Sequence, residues 1–273
     1  MNLINWKEFL IPYEYAVEEL KVKFKNVRKE LRSANSYSPI EFVTGRVKKV
    51  SSIIDKAGRL GIELTEEALR ENMEDIAGIR IMCQFVEDIY IMAEHIKKRG
   101  DMQVLYEKDY VKNYKESGYR SYHIIFSYPI QTATDLKKIL AEVQLRTLSM
   151  NFWATIEHSL KYKYEEVLPV NLSERLKTSA DAAFRLDQEM GCIKDEIVNA
   201  QLSFEERSSL MEDTLMFINV LAELAGRKEA SEYIIRFSKL TGKNDITALK
   251  LLYKEIRERI NEYNLKKITK KTD

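Results

Sequence analysis

The stretch "ESGYRSYHIIF", residues 116–126, decides the fold, because it has the pattern of a strand whose first half is polar and aromatic. Successive side chains of a strand point to opposite faces. This alternation predicts Tyr119, Ser121 and His123 on one face, and Arg120, Tyr122 and Ile124 on the other. We therefore predict a sheet with an aromatic ring and an imidazole side by side on one face, and with Tyr122 in the core.

The composition limits the classes of function. The chain has 273 residues, 45% of them hydrophobic, and its 44 basic and 43 acidic residues leave a net charge of +1. No overall field therefore favours a nucleic acid or a membrane as partner. No apolar run is long enough to span a bilayer, and the two cysteines lie far apart, at Cys83 and Cys192. We expect a cytoplasmic protein without disulfides and without a structural zinc site.

Hydrophobic periodicity predicts an α+β order along the chain. An apolar stripe at spacings of 3 and 4 predicts a first helix, with Val17, Leu20, Phe24, Val27 and Leu31 on one side. Further helices are predicted over 47–61 and 86–100, and strands over 76–85, 102–110, 119–129 and 137–147. From residue 151 onward the pattern is helical. The prediction is a mixed β-sheet flanked by helices and followed by an all-helical C-terminal tail.

The tail contains an extended apolar seam. Its members, spaced alternately 4 and 3 apart, are Leu172, Leu176, Ser179, Ala183, Leu186, Met190, Ile193 and Ile197. Such spacing predicts a long helix that packs against another helix, in the same chain or in another copy. Three more amphipathic stretches follow, around 210–224, 233–240 and 249–263. We divide the chain into 1–165, with the sheet, 166–203, with the long helix, and a helical extension over 204–273.

Two carboxylates are candidates for chemistry. In "AEVQLRT", residues 141–147, Glu142 shares a predicted face with Gln144 and Arg146. That face is either the solvated side of an ordinary strand or the floor of a ligand cleft. Asp75, just before the predicted strand at 76–85, is either a cap or turn residue or a second acid of the same cleft. Two such carboxylates would suit Mg²⁺, whose other ligands are usually waters and substrate phosphates.

A basic run, "TGRVKKVSSIIDKAGR", covers residues 44–59. It is either a solvated charged face or a cradle for phosphate, which arginine binds through two hydrogen bonds and lysine as a point charge. Ser52, Lys56 and Arg59 would share one face of a helix, since their spacing is 4 and then 3. The chain contains no G-x-x-x-x-G-K-[ST] and no G-x-G-x-x-G, so a nucleotide site would be neither a P-loop nor a Rossmann site.

Five ordered motifs carry a family resemblance. "FVTGRVK", "DIAGIR", "ESGYRSYH", "EVQLRT" and "NFWATIEHSLKYKY" resemble the synthetase domain of the RelA/SpoT family. More closely, the chain is similar to the small alarmone synthetases of the RelQ type over about residues 5–203. The resemblance implies a nucleotidyltransferase-like fold and transfer of the β,γ-pyrophosphate of ATP to the ribose 3′-hydroxyl of GDP or GTP. It also implies Mg²⁺ and a synthetase without hydrolase activity.

The resemblance assigns a role to each matching residue. Asp75 and Glu142 would be catalytic and metal-binding; Arg46, Lys48, Ser52, Lys56, Arg59 and Arg80 would bind ATP; Lys115, Tyr119, His123, Gln144, Arg146 and Asn151 would bind the acceptor nucleotide. Glu142 would help to deprotonate the 3′-hydroxyl, and Tyr119 would stack on guanine. Arg46 and Arg80 would sandwich the adenine.

The resemblance also bears on assembly and regulation. It implies a homotetramer, single-stranded RNA as a further partner, and product, (p)ppGpp, as an allosteric effector. The matching effector positions are Lys21, Lys25, Arg28, Glu41, Phe42 and Thr44, although exposed lysines and a core Phe42 would explain them equally well. Two alternatives stay open: a non-catalytic nucleotide or RNA sensor, and a pyrophosphokinase for another 3′-hydroxyl, such as GMP or a tRNA end. Intact Asp75 and Glu142 favour catalysis.

Overall fold

The computed structural model describes residues 4–34, 36–163, 169–242 and 245–269. Its elements are α1 (Trp6–Ser33), β1 (Phe42–Val47), α2 (Val50–Leu60), α3 (Glu66–Asn72), β2 (Ala77–Cys83), α4 (Val86–Lys97), β3 (Gln103–Asp109), β4 (Tyr122–Gln131), β5 (Leu136–Thr147), α5 (Leu148–Lys163), α6 (Val170–Ala225), α7 (Arg227–Thr241) and α8 (Ile246–Thr269). The predicted α+β class, a mixed sheet with helices and a helical tail, is confirmed. The chain divides into two compact units, Met1–Cys192 and Ile193–Asp273. The predicted boundary at 165 and 166 lies outside the described residues, and the three-part division stays a prediction.

The first unit contains one five-stranded mixed sheet in the order β1-β2-β5-β4-β3. β2 and β5 run parallel, whereas β1 with β2, β4 with β5, and β3 with β4 run antiparallel. Residues opposite one another on paired strands share a face, so the register decides which side chains meet. β5 has a partner on each side, and its polar residues Glu142, Gln144 and Arg146 therefore lie inside the sheet rather than at an edge.

The core lies on the face of the sheet that α1 and α4 cover. The predicted stripe of α1 is buried at Val17, Leu20 and Phe24. The helix packs directly on β1, because a Cβ added to Gly45 would lie 2.8 Å from Cγ1 of Val17. Burial of these apolar side chains supplies the main driving force for folding of the unit.

The sequence pattern does not predict β1 or α3. β1 has little hydrophobic alternation, since only Val43 among its residues is buried. Its place at the edge of the sheet explains this composition, because one side of an edge strand has no partner. The prediction of a helix over 47–61 is wrong at its start. Val47 completes β1, the backbone N–H of Lys48 donates to the carbonyl of Ile76 at 2.8 Å, and α2 begins only at Val50.

The predicted strand over 119–129 is also wrong at its start, because β4 begins at Tyr122. Residues 115–119 form a turn instead, in which the N–H of Gly118 donates to the carbonyl of Lys115 at 2.8 Å. Gly118 has a φ of 87°, which a side chain would strain. Strand alternation therefore does not govern Tyr119, although it does hold from Tyr122 onward. Tyr122 is buried in the core, as predicted.

The predicted long helix is confirmed as α6, which continues through the next predicted stretch to Ala225. Much of its apolar seam is exposed, with Leu186 at 57% and Ile197 at 54%. The second unit has its own core, in which Ile218 and Leu221 pack with Leu252 and Ile256. Over the described ranges, none of the helices is both long and apolar enough to cross a membrane.

Candidate active site

Polar side chains lie in register across four strands, on the face of the sheet opposite the core. The first row consists of Thr44, Arg80, Gln144 and His123, and the next row contains Arg46, Gly78 and Glu142. The residues between the rows alternate to the other face, where Ile79, Val143 and Ile124 are fully buried. The register thus brings together candidate residues from four segments of the chain on the floor of one cleft.

A closed ring of hydrogen bonds links the acceptor-side candidates to Glu142. Oε1 of Glu142 lies 2.7 Å from Nδ1 of His123, whose Nε2 lies 2.8 Å from the hydroxyl of Tyr119. Nη2 of Arg146 donates to that hydroxyl at 2.6 Å and to Oε1 of Gln144 at 2.9 Å. The Gln144 amide closes the ring by donating to Oε2 of Glu142 at 2.8 Å. Each bond of this ring pairs one donor with one acceptor if the His123 imidazole is neutral. Its Nδ1 then carries the proton and donates to Glu142, and its Nε2 accepts from the hydroxyl of Tyr119.

The ring keeps Glu142 ionised in a buried position. Glu142 and Arg146 are only 9% and 4% exposed, so the alternative of a half-solvated strand face is wrong for both. Burial acts to raise the pKa of Glu142, but the hydrogen bonds that it accepts from His123 and Gln144 outweigh this effect and hold the pKa below its ordinary value. Burial raises the pKa of the Tyr119 hydroxyl, which the charge of Arg146 only partly opposes. At neutral pH Glu142 is therefore ionised, and Tyr119 keeps its proton.

Asp75 lies in the turn between α3 and β2 and lines the same cleft as Glu142. Nζ of Lys48 lies 2.8 Å from its Oδ2, and Nζ of Lys56 lies 2.9 Å from its Oδ1. Burial acts to raise the pKa of Asp75, but the hydrogen bonds and charges of the two lysines hold the pKa below its ordinary value. The cations predicted to bind phosphate thus contact the carboxylate predicted to bind metal.

Two arginines line the cleft from β1 and β2. Arg46 and Arg80 both border the space next to Glu142, and Nε of Arg80 donates to Oε1 of Gln144 at 3.3 Å. Burial, followed by the charges of Arg146 and Arg46, lowers the pKa of Arg80 to about 10. Arg80 is still protonated at neutral pH. A bound anion would reduce the repulsion between these guanidinium groups, and a planar aromatic ligand could stack on them.

Cations also surround the ring of Tyr119. Nζ of Lys115 and Cζ of Arg146 each lie 5.1 Å from its centroid. Tyr110, which the sequence does not predict in the site, lies edge-on to Tyr119 and has its centroid 5.2 Å from that of His123. The sequence distinguishes Tyr110 only as the last residue of the predicted strand over 102–110. Its contacts could be found only once β3 was known to pair with β4.

Fewer contacts connect the remaining candidate residues to the cleft. Ser52, Lys56 and Arg59 lie on α2 as predicted, but the described contacts join only Lys56 to Asp75, and Arg59 is exposed. Asn151 lies in the first turn of α5. Its Oδ1 is buried and has no hydrogen-bond partner among the described residues. Because an unsatisfied buried acceptor is costly, this oxygen is available to a ligand.

The carboxylates fit a metal that arrives with phosphate. Within the described residues, no group of three or more His, Cys, Asp and Glu side chains is arranged to hold a metal ion. Asp75 and Glu142 line one cleft and supply two ionised carboxylates. Mg²⁺ usually takes one or two protein carboxylates and completes its shell with waters and substrate phosphates. The donor set therefore fits Mg²⁺ with a phosphate ligand and does not fit an all-protein metal cage.

A second, more open basic groove lies between α1 and β1. Of the predicted effector residues, Lys25, Arg28 and Phe42 line it, together with Lys29, Arg32, Ser33 and Val43. Glu41 lies beside it, 3.6 Å from Arg28. Phe42 is 39% exposed, so the alternative of a core Phe42 is wrong. Thr44 lines the cleft of Glu142 instead, and Lys21 pairs with a carboxylate of its own helix.

The chain is similar to proteins of known function. Residues 45–167 match the family model of the region found in RelA / SpoT proteins. GTP pyrophosphokinase YjbM of Bacillus subtilis (strain 168) is 52% identical over 203 residues, which cover 74% of this chain and 95% of that protein. The small alarmone synthetase 1 of Bacillus subtilis bound to its product pppGpp has a TM-score of 0.67 and 53% identity, covering 70% of this chain and 97% of that one. The same synthetase bound to AMPCPP has a TM-score of 0.62 and 49% identity, with the same coverage of 70% and 97%.

Proposed function

The chain belongs to the RelA/SpoT family, and from this membership and the cleft we infer that it is a GTP pyrophosphokinase that makes (p)ppGpp. It transfers the β,γ-pyrophosphate of ATP to the ribose 3′-hydroxyl of GDP or GTP and releases AMP. The observation that carries this proposal is the cleft that Arg46, Arg80 and two ionised carboxylates line, because one of those carboxylates, Glu142, is connected through His123 to Tyr119. Phosphoryl transfer needs this kind of site, since its catalysis rests on alignment and on offsetting charge.

The donor side is built from β1, α2 and β2. We propose that Arg46 and Arg80 hold the adenine between their guanidinium groups, and that Lys48 and Lys56 bind the ATP phosphates, assisted by Ser52 and Arg59. Lys48 and Lys56 both contact Asp75. Phosphates would compete with Asp75 for both ammonium groups, and the released carboxylate could then bind Mg²⁺. Binding of ATP and of Mg²⁺ should therefore favour each other.

The acceptor side is built around Tyr119. Its aromatic ring stacks on guanine. The other residues proposed to contact the acceptor nucleotide are Lys115, His123, Gln144, Arg146 and Asn151. Of these neighbours, His123, Gln144 and Arg146 already lie in the hydrogen-bonded ring that includes Glu142. A ribose placed over that ring would have its 3′-hydroxyl close to the carboxylate.

The proposed reaction is an in-line displacement. The 3′-oxygen of the acceptor forms a bond to the β-phosphorus, the bond from that phosphorus to the oxygen bridging to the α-phosphate breaks, and AMP leaves with that oxygen. Glu142 accepts the proton of the 3′-hydroxyl, which is otherwise a poor nucleophile at neutral pH. When bound, Mg²⁺ supplies neutralisation of phosphate charge, and Asp75 and Glu142 would hold it.

The first test is a transfer assay with the purified chain. It contains Mg²⁺, γ-labelled ATP and, separately, GMP, GDP, GTP or no acceptor. We expect label in a guanosine tetra- or pentaphosphate and release of AMP. Binding of guanine nucleotides without transfer would instead favour the sensor, and transfer only to GMP or a tRNA end would favour the other acceptors.

Tyr119→Ala is expected to raise the KM for the acceptor more than the KM for ATP. Stacking of a base on an aromatic ring is worth about 1–3 kcal/mol, so the acceptor KM should rise about 5- to 150-fold. Tyr119→Phe keeps the ring and loses only the hydroxyl bonds to His123 and Arg146, so it should retain most of the acceptor affinity. Steady-state kinetics with each substrate varied in turn provide the measurement. Equal effects of Tyr119→Ala on both substrates would contradict the assignment.

We also propose that the chain assembles as a homotetramer. The support is the exposed apolar seam of α6, on which Leu186, Met190 and Ile197 are each more than 40% exposed. Large exposed apolar stripes on a helix usually mark an interface. Light scattering at several concentrations would determine the assembly. We further propose a cytoplasmic location, because reducing compartments keep thiols such as Cys83 and Cys192 unpaired.

Product should regulate the enzyme through the groove between α1 and β1. We propose that pppGpp binds its cations, because phosphate-rich ligands are recognised by clustered arginine and lysine. Added pppGpp should then stimulate the initial rate, and Arg28→Ala should abolish the stimulation. Lys7→Ala, an exposed lysine of the same helix, is the matched control. Unchanged stimulation in Arg28→Ala would remove this groove from the proposal. Single-stranded RNA, the other partner proposed, can be added in the same assay as a competitor.

A further inference from the structure

One face of α6 packs against the turn that leads to Tyr119 and against the junction of β5 with α5, where other acceptor residues lie. Its contacting residues, spaced three or four apart, are Leu176, Ala180, Phe184 and Asp187, with Ser179 and Asp181 beside them. Residues at this spacing share one side of a helix. None of them is among the site residues predicted from the sequence. The arrangement raises the question of what α6 does for the acceptor site.

Asp181 holds the arginine next to Tyr119. Oδ1 of Asp181 accepts from Nη2 of Arg120 at 2.9 Å, and Nη1 of Arg120 donates to the carbonyl of Gly118 at 3.1 Å. Arg120 is only 6% exposed, and its guanidinium lies 4.6 Å from the ring centroid of Phe184 on the same helix. A buried guanidinium that loses its carboxylate leaves an uncompensated charge. The position of Arg120, and with it the backbone on either side, therefore depends on α6.

The helix also touches the turn before Tyr119 directly. A Cβ added to Gly118 would lie 2.6 Å from Cβ of Ala180 and 3.4 Å from Cα of Lys177. Tyr119 packs against the small cluster formed by Trp153, Ala154 and Ala180. Nε1 of Trp153 in turn donates to the carbonyl of Leu176 at 2.9 Å. α6 therefore contacts both the backbone and the side chains of this turn.

Asp187 holds the other end of the acceptor site. It is 7% exposed, and its Oδ2 accepts from the hydroxyls of Thr147, at 2.7 Å, and of Ser149. Thr147 directly follows Arg146, and its Oγ1 accepts from the backbone N–H of Met150 at 3.1 Å, in the first turn of α5. Asp187 therefore stabilises the junction between the strand of Arg146 and the helix of Asn151.

We propose that Asp181 and Asp187 are positioning residues for the acceptor nucleotide, holding the turn of Tyr119 and the β5–α5 junction at the spacing that a guanine nucleotide requires. Neither carboxylate belongs to the hydrogen-bonded ring around Glu142. Their effect is pre-organisation: groups that are already ordered lose less conformational freedom when the ligand binds. This inference rests on the proposed function for the identity of the acceptor.

Substrate kinetics give the first test. Asp181→Ala should raise the acceptor KM about 10-fold and leave the ATP KM within about 2-fold, because only the acceptor side loses its support. Asp181→Asn keeps an oxygen for Arg120 and should recover most of the loss, and Asp187→Ala should resemble Asp181→Ala. Glu189→Ala removes an exposed carboxylate of the same helix and should behave as the wild type. Equal rises of both KM values, or none, in Asp181→Ala and Asp187→Ala would overturn the proposal.

Hydrogen exchange gives a second test that needs no turnover. In the full chain without nucleotide, the amides of residues 113–123 should exchange about 10-fold faster in Asp181→Ala than in Glu189→Ala, because local opening becomes easier. The donor-side residues 46–60 should exchange equally in both. If Asp181→Ala does not fold, as judged by circular dichroism, Asp181→Asn takes its place with a smaller expected difference. Unchanged exchange at 113–123 would overturn the proposal. A wild type that transfers nothing would refute the proposed function and leave this comparison intact.

Discussion

Glu142→Gln is expected to lower kcat for pyrophosphate transfer by about 10³-fold or more, the range that loss of a general base produces. Glutamine has the shape of glutamate and keeps one oxygen for a hydrogen bond from His123 or Gln144. It cannot take the proton of the 3′-hydroxyl, and it is a weak ligand for Mg²⁺. Affinity for an ATP analogue should change little, because the adenine and phosphate contacts that we assign lie on other residues.

The measurement combines single-turnover transfer with calorimetric binding of a non-hydrolysable ATP analogue. Glu142 accepts hydrogen bonds on both oxygens, so its replacement removes one of them, at a cost of about 1–3 kcal/mol in stability. A thermal melt therefore has to show that the variant is folded at the assay temperature. Glu63→Gln, an exposed glutamate, is the matched control and should transfer as the wild type does. Full activity in Glu142→Gln would remove Glu142 from the mechanism.

Asp75→Asn is expected to lower kcat/KM about 10²-fold and to raise the Mg²⁺ concentration needed for half-maximal rate. Asparagine lacks the charge that we assign to metal binding. Lys48 and Lys56 would lose the carboxylate that they contact, and ATP phosphates could take its place. ATP affinity measured without Mg²⁺ should therefore stay the same or increase. A higher Mg²⁺ requirement together with an unchanged or higher ATP affinity is the result expected if Lys48 and Lys56 exchange Asp75 for phosphate.

Titrations of Mg²⁺ and of nucleotide, each in the transfer assay and by calorimetry, would measure the effect of Asp75→Asn. Asp55→Asn, an exposed aspartate on α2, is the control. The pKa of Asp75 lies below the ordinary value of about 3.9, and the group loses its charge only as pH falls through that lowered pKa. The Mg²⁺ requirement of the wild type should therefore not rise through protonation of Asp75 between about pH 7 and 5. An unchanged Mg²⁺ requirement in Asp75→Asn would contradict the assignment.

Much of the sheet could be predicted because its central strands follow period two. The alternation in residues 141–147 separated Val143 and Leu145, which are fully buried in the core, from Glu142 and Arg146. Tyr119 lies before β4, because Gly118 turns the chain there, but its hydroxyl still lies 2.8 Å from His123, beside which it was predicted. Alternation did not indicate β1 at all, since an edge strand with one buried residue carries little hydrophobic signal.

The hydrogen-bonded ring could not be predicted from any local pattern. His123 and Glu142 belong to adjacent antiparallel strands, and a shift of the register by one residue would send one of them to the opposite face. Lys48, which directly follows β1, contacts Asp75 in the turn before β2. Both residues were predicted to contact a ligand rather than each other. The contacts of Arg120 with α6 join residues that are 61 positions apart.

The sequence by itself determined the types of most elements, the apolar face of the sheet and the side chains available for catalysis, because these depend on local periodicity and on the chemistry of each residue. Only the tertiary structure decided the strand order, the inclusion of β1 and the support that α6 gives to the acceptor side. Those features depend on which distant segments pair and in which register. The free energy of that pairing comes from packing and hydrogen bonds between segments, and no single stretch of sequence contains it.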